Sequence, residues 1–249
     1  MKSILVTLLL TASLFILNGC KDAIVVPASE PERITVPVVQ GSYYIFAVDS
    51  AFAGASTGRL SVNYTGSTLV EGTPYITGVD TVQDGSVLNY YLRTSPSGVY
   101  AYVDTAGFGA LIPDTLKRFV TVDKELTLLS QPFFPNKTWN AYKLIVLNLS
   151  IISLKGEYLR AEKAVMQLNG ITDTVTVHHC RYNLTVNLID SVMTYTAEVG
   201  FADKIGIVTM EGSEFLLQFM KGIRVATAGN DARIKARLIE YTPILYTTK

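Results

Sequence analysis

The chain has 249 residues and carries 21 basic and 21 acidic side chains, so its formal net charge at pH 7 is zero. Because no basic excess is available to neutralise phosphates, the composition argues against a nucleic-acid partner. The length suffices for one large all-β domain or two smaller ones, each with a hydrophobic core.

The first twenty residues have the three-part layout of a secretory signal. Met1-Lys2 gives a short positive start, residues 4–17 are almost entirely apolar, and small Gly19 precedes Cys20. The apolar run is short for a membrane-spanning helix, and polar Lys21-Asp22 follows at once. The leader therefore predicts export.

Leu17-Asn18-Gly19-Cys20 resembles the lipobox of bacterial lipoproteins, in which a cysteine after a small residue is lipidated and becomes the new first residue. The resemblance implies a signal peptide over residues 1–19, lipidation of Cys20 and a membrane partner through the lipid anchor. It also implies a place in the cell envelope, at the outer membrane, either periplasmic or surface-exposed. The alternative, an ordinary signal that happens to precede a cysteine, is disfavoured because an A-x-A-like cleavage site is absent.

The chain has two cysteines, and lipidation of Cys20 leaves Cys180 without a disulfide partner. We therefore expect Cys180 to be a buried thiol on a strand.

Residues 20–40 are interpreted as the lipidated cysteine and a tether, because Pro27, Pro31 and Pro37 disfavour regular pairing. An edge strand over residues 34–39 is the alternative.

Residues 41–249 are predicted to form an all-β domain. Tyr44, Phe46 and Val48 alternate along one strand, and residues 60–64 repeat the pattern. Turn formers at residues 71–74 and 95–98 predict hairpins. The spacing of strands and turns predicts a mostly antiparallel, curved sheet forming an open barrel or a sandwich, with at most one short helix.

The second half continues the strand pattern with one ambiguous segment. Residues 142–152 form a strongly apolar run that is better explained by strand than by helix. Residues 156–168 are the best helix candidate, although a strand leading to a hairpin turn at Asn169-Gly170 fits equally well. Five further strands are predicted: Tyr182–Leu188, Thr194–Val199, Ile205–Met210, Phe215–Met220 and Ile234–Tyr241.

Three segments of the mature chain resemble a group of β-rich secreted and lipid-anchored proteins of Bacteroidota and related phyla. They are residues 90–93 with 98–100 (YYLR and GVY), residues 132–139 (PFFPNKTW) and residues 201–208 (FADKIGIV). The group usually has glycine where Asn136 stands, a mild departure because asparagine also accepts a left-handed backbone. The resemblance implies an extracytoplasmic β fold and no particular chemistry.

Gly54-Ala55-Ser56-Thr57-Gly58 matches the G-x-S-x-G pattern of serine hydrolases. That motif needs a strand-to-helix turn that exposes the serine, whereas the alternating residues after Gly58 predict a strand. No other catalytic constellation stands out, so we expect no enzyme activity and no cofactor. A serine esterase using Ser56 is kept as a remote alternative.

His178-His179-Cys180 combines good zinc ligands, but adjacent strand residues point to opposite faces and cannot close on one ion. We therefore predict no metal site and expect Cys180 to face the core, with His179 facing water or a neighbouring side chain. A two-ligand site completed by distant carboxylates is the alternative.

Six triplets read Asp, then Ser or Thr, then an apolar residue, which resembles an O-glycosylation signal of exported Bacteroidota proteins. Pairs of this kind also arise as turn chemistry at strand ends. The candidate modified residues are Ser50, Thr81, Thr105, Thr115, Thr174 and Ser191.

The aromatic residues allow two interpretations, core packing or a groove for a sugar or lipid. Taken together, the sequence favours a lipid-anchored envelope protein with a non-enzymatic binding or structural role. A carrier or sensor of a hydrophobic ligand in a curved-sheet pocket is the alternative. Candidate partners are a protein, a glycan or a hydrophobic ligand. The aromatic candidates are Tyr43, Tyr44, Tyr90, Tyr91, Tyr100, Tyr102, Phe133, Phe134 and Trp139.

Overall fold

The computed structural model describes residues 31–48, 58–82, 85, 87–104, 114–188, 191–221 and 232–242. These ranges contain thirteen β-strands and two short α-helices. The strands are β1 (Tyr43–Val48), β2 (Gly58–Val70), β3 (Thr73–Val82), β4 (Val87–Ser95), β5 (Gly98–Tyr102), β6 (Val120–Val122), β7 (Glu125–Ser130), β8 (Thr138–Val146), β9 (Leu149–Leu168), β10 (Ile171–Leu188), β11 (Ser191–Ala202), β12 (Gly206–Ser213) and β13 (Arg233–Thr242). The helices are α1 (Asp114–Lys117) and α2 (Glu214–Phe219).

All thirteen strands belong to one antiparallel sheet, in the order β6-β8-β9-β10-β11-β12-β13-β1-β2-β3-β4-β5-β7. The sheet curls into a half-barrel. Its two ends approach each other, because the Trp139 indole N–H on β8 donates to the Thr127 carbonyl on β7 at 3.0 Å. The predicted all-β, antiparallel class is confirmed, in its open-barrel form.

The core lies on the concave face of this sheet. Tyr44, Phe46 and Val48 are buried together with the alternating set on β2, as the two-residue period predicts. The Tyr182 hydroxyl crosses the interior and donates to the Leu128 carbonyl. The largest fully buried side chains include Tyr142, Tyr182, Phe133 and Phe201.

Tight turns set the register of the hairpins. Asn169-Gly170 joins β9 to β10 with φ of 53° and 77°, and Glu71-Gly72 joins β2 to β3 with φ of 49° and 82°. Two successive residues with positive φ match the right-handed twist of the flanking strands. The predicted hairpins are confirmed at both positions.

The apolar run over residues 142–152 is strand and not helix, as predicted, and a hairpin turn divides it between β8 and β9. Its turn lies at Leu147-Asn148, with φ of 51° and 65°. Asparagine tolerates the left-handed region, but leucine there gives no turn signal. Tyr142 and Leu144 on β8 are buried, whereas Leu147 and Leu149 beside the turn are exposed.

The structure decides one ambiguous segment and corrects one prediction. Residues 156–168, for which helix and strand fitted equally well, form part of β9 and pair with β10 along their whole length. Residues 215–220, predicted as a strand, lie in α2 and just after it, where the Ser213 hydroxyl accepts from the Leu216 N–H at 3.1 Å as the N-cap. The described residues thus contain two short helices where at most one was expected.

Residues 31–40 pack against the sheet. Glu32 and Phe133 exchange two backbone hydrogen bonds of 3.1 and 2.7 Å, and the Gln131 side chain binds the backbone of Ile34 at 3.1 and 2.9 Å. Ile34 and Val38 are buried. The compact unit therefore starts at Pro31, whereas the sequence placed these residues in the tether. A spacer role stays a prediction for residues 20–30, outside the described ranges.

Candidate functional site

Several predicted site residues lie outside the described residues: Cys20, Ser50, Ser56 and Thr105. Lipidation of Cys20 and a role for Ser56 stay predictions.

The motif around Ser56 runs directly into β2, which begins at Gly58. A strand follows the motif where a nucleophile turn would need a helix, so this arrangement gives the esterase alternative no support.

The four glycosylation candidates in the described ranges are scattered over the fold. Thr81 lies on β3, Thr115 on α1, Thr174 on β10 and Ser191 at the start of β11. The last three are exposed, whereas Thr81 is half-buried and follows Asp80, which is 1% exposed. The structure brings these four residues into no common site.

If the triplets direct glycosylation, mass spectrometry of the native protein will find hexose-bearing peptides at exposed Thr174 and Ser191 but not at half-buried Thr81. Replacing Asp173 by alanine will abolish the modification of Thr174 and leave Ser191 modified. Unmodified peptides at both exposed positions would remove the hypothesis.

The His178-His179-Cys180 segment divides between the two faces of β10. Cys180 is fully buried, and burial raises the pKa of its thiol to about 12, so it is an inert core thiol. His179 faces outward, with Nδ1 2.8 Å from Glu198 and Nε2 3.1 Å from Glu162. Both placements confirm the prediction. Within the described ranges, no group of three His, Cys, Asp or Glu side chains is arranged to hold a metal ion.

His178 belongs to a buried cluster that holds the N-terminal segment. Its ring stacks on Phe133 at 4.9 Å, Nδ1 lies 3.4 Å from the Tyr158 hydroxyl and Nε2 lies 3.4 Å from Glu32. Burial lowers the pKa of His178, and the nearby carboxylates of Glu32 and Asp203 only partly oppose this effect. A neutral imidazole packed between rings fits a structural role.

The interior of the half-barrel has a small apolar void of about 60 Å³. Tyr44, Tyr64 and Tyr90 line it, and residues 36–38 border it. Pockets that hold drug-sized ligands measure roughly 300–1,000 Å³. The void has the size of a packing defect, and the carrier alternative gains no ligand-sized chamber from it.

A buried ion pair, which sequence reasoning missed, lies beside this void. The Lys221 ammonium, just after α2, binds the Asp80 carboxylate on β3, and Asp80 is 1% exposed. Asp80 Oδ1 has no hydrogen-bond partner among the described residues. Burial, with the charge of Asp80 adding to it, raises the pKa of Tyr90 well above its usual value. An acidic residue on the inward face of a strand was the available signal.

The aromatic candidates are mostly explained by packing. Tyr44, Tyr90 and Phe133 are buried in the core, and Trp139 lies over Gly156. On the outer face, Tyr102 makes an edge contact with Tyr75 at 5.8 Å. The structure does not assemble the predicted aromatics into one groove.

The outer face of β10 to β13 carries a polar depression of about 460 Å³, which we call the outer-face groove. Its side chains form cross-strand rows, since Arg181 lies opposite Glu198, Glu198 opposite Glu211, and Glu211 opposite Lys235. The lining side chains come from four consecutive strands and are spread over residues 179–237, so no local sequence motif marks the site. The principal ones are His179, Arg181, Glu198, Glu211, Lys235 and Arg237.

The hairpin of β9 and β10 extends past the end of β11 and reaches β13. Asn169 at its turn makes three hydrogen bonds to the backbone of Ile239 and Tyr241, of 2.8 to 3.0 Å. Met166 and Leu168 are buried on the same strand face that carries exposed Glu162. The hairpin tip therefore crosses the outer face beyond the groove, which starts at His179.

No helix within the described ranges has the length and apolar character needed to cross a membrane. The fold is a curled antiparallel sheet with a nearly filled interior and a polar outer-face groove. The sequence matches no protein-family model and no curated protein.

Two solved structures are similar to the chain. One is a putative lipoprotein from Parabacteroides distasonis, with 10% sequence identity, a TM-score of 0.44, and coverage of 85% of this chain and 99% of that one. The other is a putative exported protein with a YmcC-like fold from Bacteroides fragilis, with 13% identity, a TM-score of 0.44, and coverage of 84% and 99%.

Proposed function

We propose that the chain is a lipid-anchored, non-enzymatic protein of the cell envelope that binds or supports a partner through its outer surface. The signal-like leader ending in Leu17-Asn18-Gly19-Cys20 supports the anchor. The acyl chains of a lipoprotein provide more than one hydrophobic attachment, which makes anchoring stable where a single chain is reversible. The outer membrane is the proposed location.

The filled half-barrel is the geometric observation behind a surface role. Among the described residues the interior void measures about 60 Å³, too small for a ligand of ordinary size, and this supports a partner bound at the outside of the sheet. Residues 31–40 follow the tether and are fixed to the sheet at Glu32, Ile34 and Thr35. Fixing them in this way gives the anchored domain a defined attachment point near Phe133.

Replacing Cys20 by alanine will move the protein from the membrane fraction to the soluble envelope fraction, because the variant lacks the thiol that carries the lipid. Fractionation followed by immunoblotting measures the shift. Cys180→Ala is the matched control: it removes the other cysteine, which is buried in the core, and this variant will stay with the membrane. Unchanged fractionation of Cys20→Ala would refute the anchor.

A further inference from the structure

The outer-face groove carries an excess of positive charge. Four cations and two carboxylates line it: Arg181, Arg233, Lys235, Arg237, Glu198 and Glu211. Glu211 lies 3.5 Å from Lys235, in a pair whose side chains are 54% and 63% exposed. Such exposed pairs are weak, so Glu211 neutralises the groove only in part.

Two of the cations have unused binding capacity. Among the described residues, the side chains of Arg181 and Arg237 have no ion-pair or hydrogen-bond partner, and both are exposed. They lie three strand spacings apart, and Arg237 is two residues along β13 from Lys235, which ends the cross-strand row of Arg181. Their backbones are therefore about 16 Å apart at the usual strand spacings. A guanidinium group binds a carboxylate or phosphate through two parallel hydrogen bonds, so each end of the groove offers one oxyanion position.

The rest of the lining favours a polar ligand. Thr196 and Thr209 contribute hydroxyl groups, and no Phe, Tyr or Trp ring is among the described side chains that line the groove. Stacking on such rings is a common way to hold the apolar face of a neutral ligand, and the imidazole of His179 is already held by Glu198 and Glu162. The volume of about 460 Å³ falls in the range of small-molecule sites, roughly 300–1,000 Å³.

We propose that the outer-face groove binds a small polar ligand with oxyanion groups at both ends, held by Arg181 at one end and Arg237 at the other. Carboxylates of an acidic disaccharide and phosphate groups share this chemistry. The site goes beyond the proposed anchoring and does not depend on Cys20, so the fractionation of Cys20→Ala and the binding experiment succeed or fail separately.

Isothermal titration of the purified full chain with digalacturonate, inorganic phosphate and neutral cellobiose tests the proposal. We expect an anionic probe to bind, with affinity falling as salt rises, and cellobiose not to bind. The double variant Arg181→Gln/Arg237→Gln will bind at least tenfold more weakly. Lys117→Gln/Arg118→Gln, which removes the same charge beside the β6 edge of the sheet, will bind like the parent.

Each result has a definite meaning. Arginine-dependent binding of digalacturonate supports carboxylate recognition, and arginine-dependent binding of phosphate alone supports phosphate recognition. Equal weakening in both double variants would show general charge attraction and overturn the proposal, as would an absence of binding by both anions. Circular dichroism checks that the variants are folded, and amide shifts at Thr196 and Thr209 test whether a bound probe lies in the groove.

Discussion

Replacing Lys221 by methionine will lower the free energy of unfolding by about 3–5 kcal/mol, because it leaves the buried Asp80 carboxylate without its counter-charge. Asp80 is 1% exposed and the Lys221 side chain is 16% exposed, so water replaces the lost partner poorly. The Lys221 ammonium also lies 5.5 Å from the Tyr90 ring centroid, and this cation–π contact disappears with it. Urea unfolding followed by the fluorescence of Trp139, the single tryptophan, measures the loss.

Two controls separate a buried charge from a general loss of lysine. In Asp80→Asn/Lys221→Met no charge stays buried, so this double variant will recover most of the lost stability. Lys124→Met breaks a pair between Lys124 and Glu71, whose side chains are 62% and 54% exposed, and this variant will unfold at nearly the same urea concentration as the parent. If Lys221→Met and Lys124→Met lower the free energy of unfolding equally, the buried Asp80 carboxylate does not need Lys221 for the fold to be stable.

The all-β class and several hairpins could be predicted because their signals are local. A two-residue period reports a sheet with one face buried, as in Tyr44, Phe46 and Val48. Asn169-Gly170 reports a tight hairpin turn, since both residues accept positive φ. These signals need no knowledge of distant contacts.

The prediction of helix or strand was least certain where tertiary strand pairing overrides local propensity. The helix-forming residues of 156–168 include Glu162 and Lys163, which are exposed on opposite faces of β9, so solvation and not helicity accounts for them. In α2, Leu216, Leu217 and Phe219 are buried in a six-residue helix, which is too short to display a helical period. The cap at Ser213 was the usable signal.

The sites escaped prediction because they are assembled across the sheet. The ion pair joins residues 141 positions apart, and the outer-face groove combines Arg181, Glu198, Glu211 and Arg237 from four strands. Register decides which of these side chains are neighbours, and a shift by one residue would send each to the other face. Composition and spacing along the chain contain no such information.

Replacing Gly98 by alanine will cost about 3–5 kcal/mol of the free energy of unfolding, a large effect for adding one methyl group. Gly98 begins β5 with φ of 154°, a backbone conformation that side chains disfavour, and a Cβ there would overlap the carbonyl oxygen of Leu129 on β7. Leu129 is fully buried, and the neighbouring Gln131 N–H is bonded to the Ser97 carbonyl at 2.8 Å. The backbone that would have to yield is therefore fixed on both sides.

Two other glycines divide this effect into its parts. Gly66 has ordinary φ and open space around its Cβ position, so Gly66→Ala will change stability by no more than about 1 kcal/mol. Gly170 has φ of 77° and open space, so Gly170→Ala adds backbone strain without overlap and will cost about 1–2 kcal/mol. If Gly98→Ala lowers the free energy of unfolding no more than Gly170→Ala does in the same urea titration, the backbones of β5 and β7 can move apart at no cost, and the predicted effect of the overlap is wrong. The predicted order follows because strain and overlap act together only at Gly98, where the sheet approaches closure.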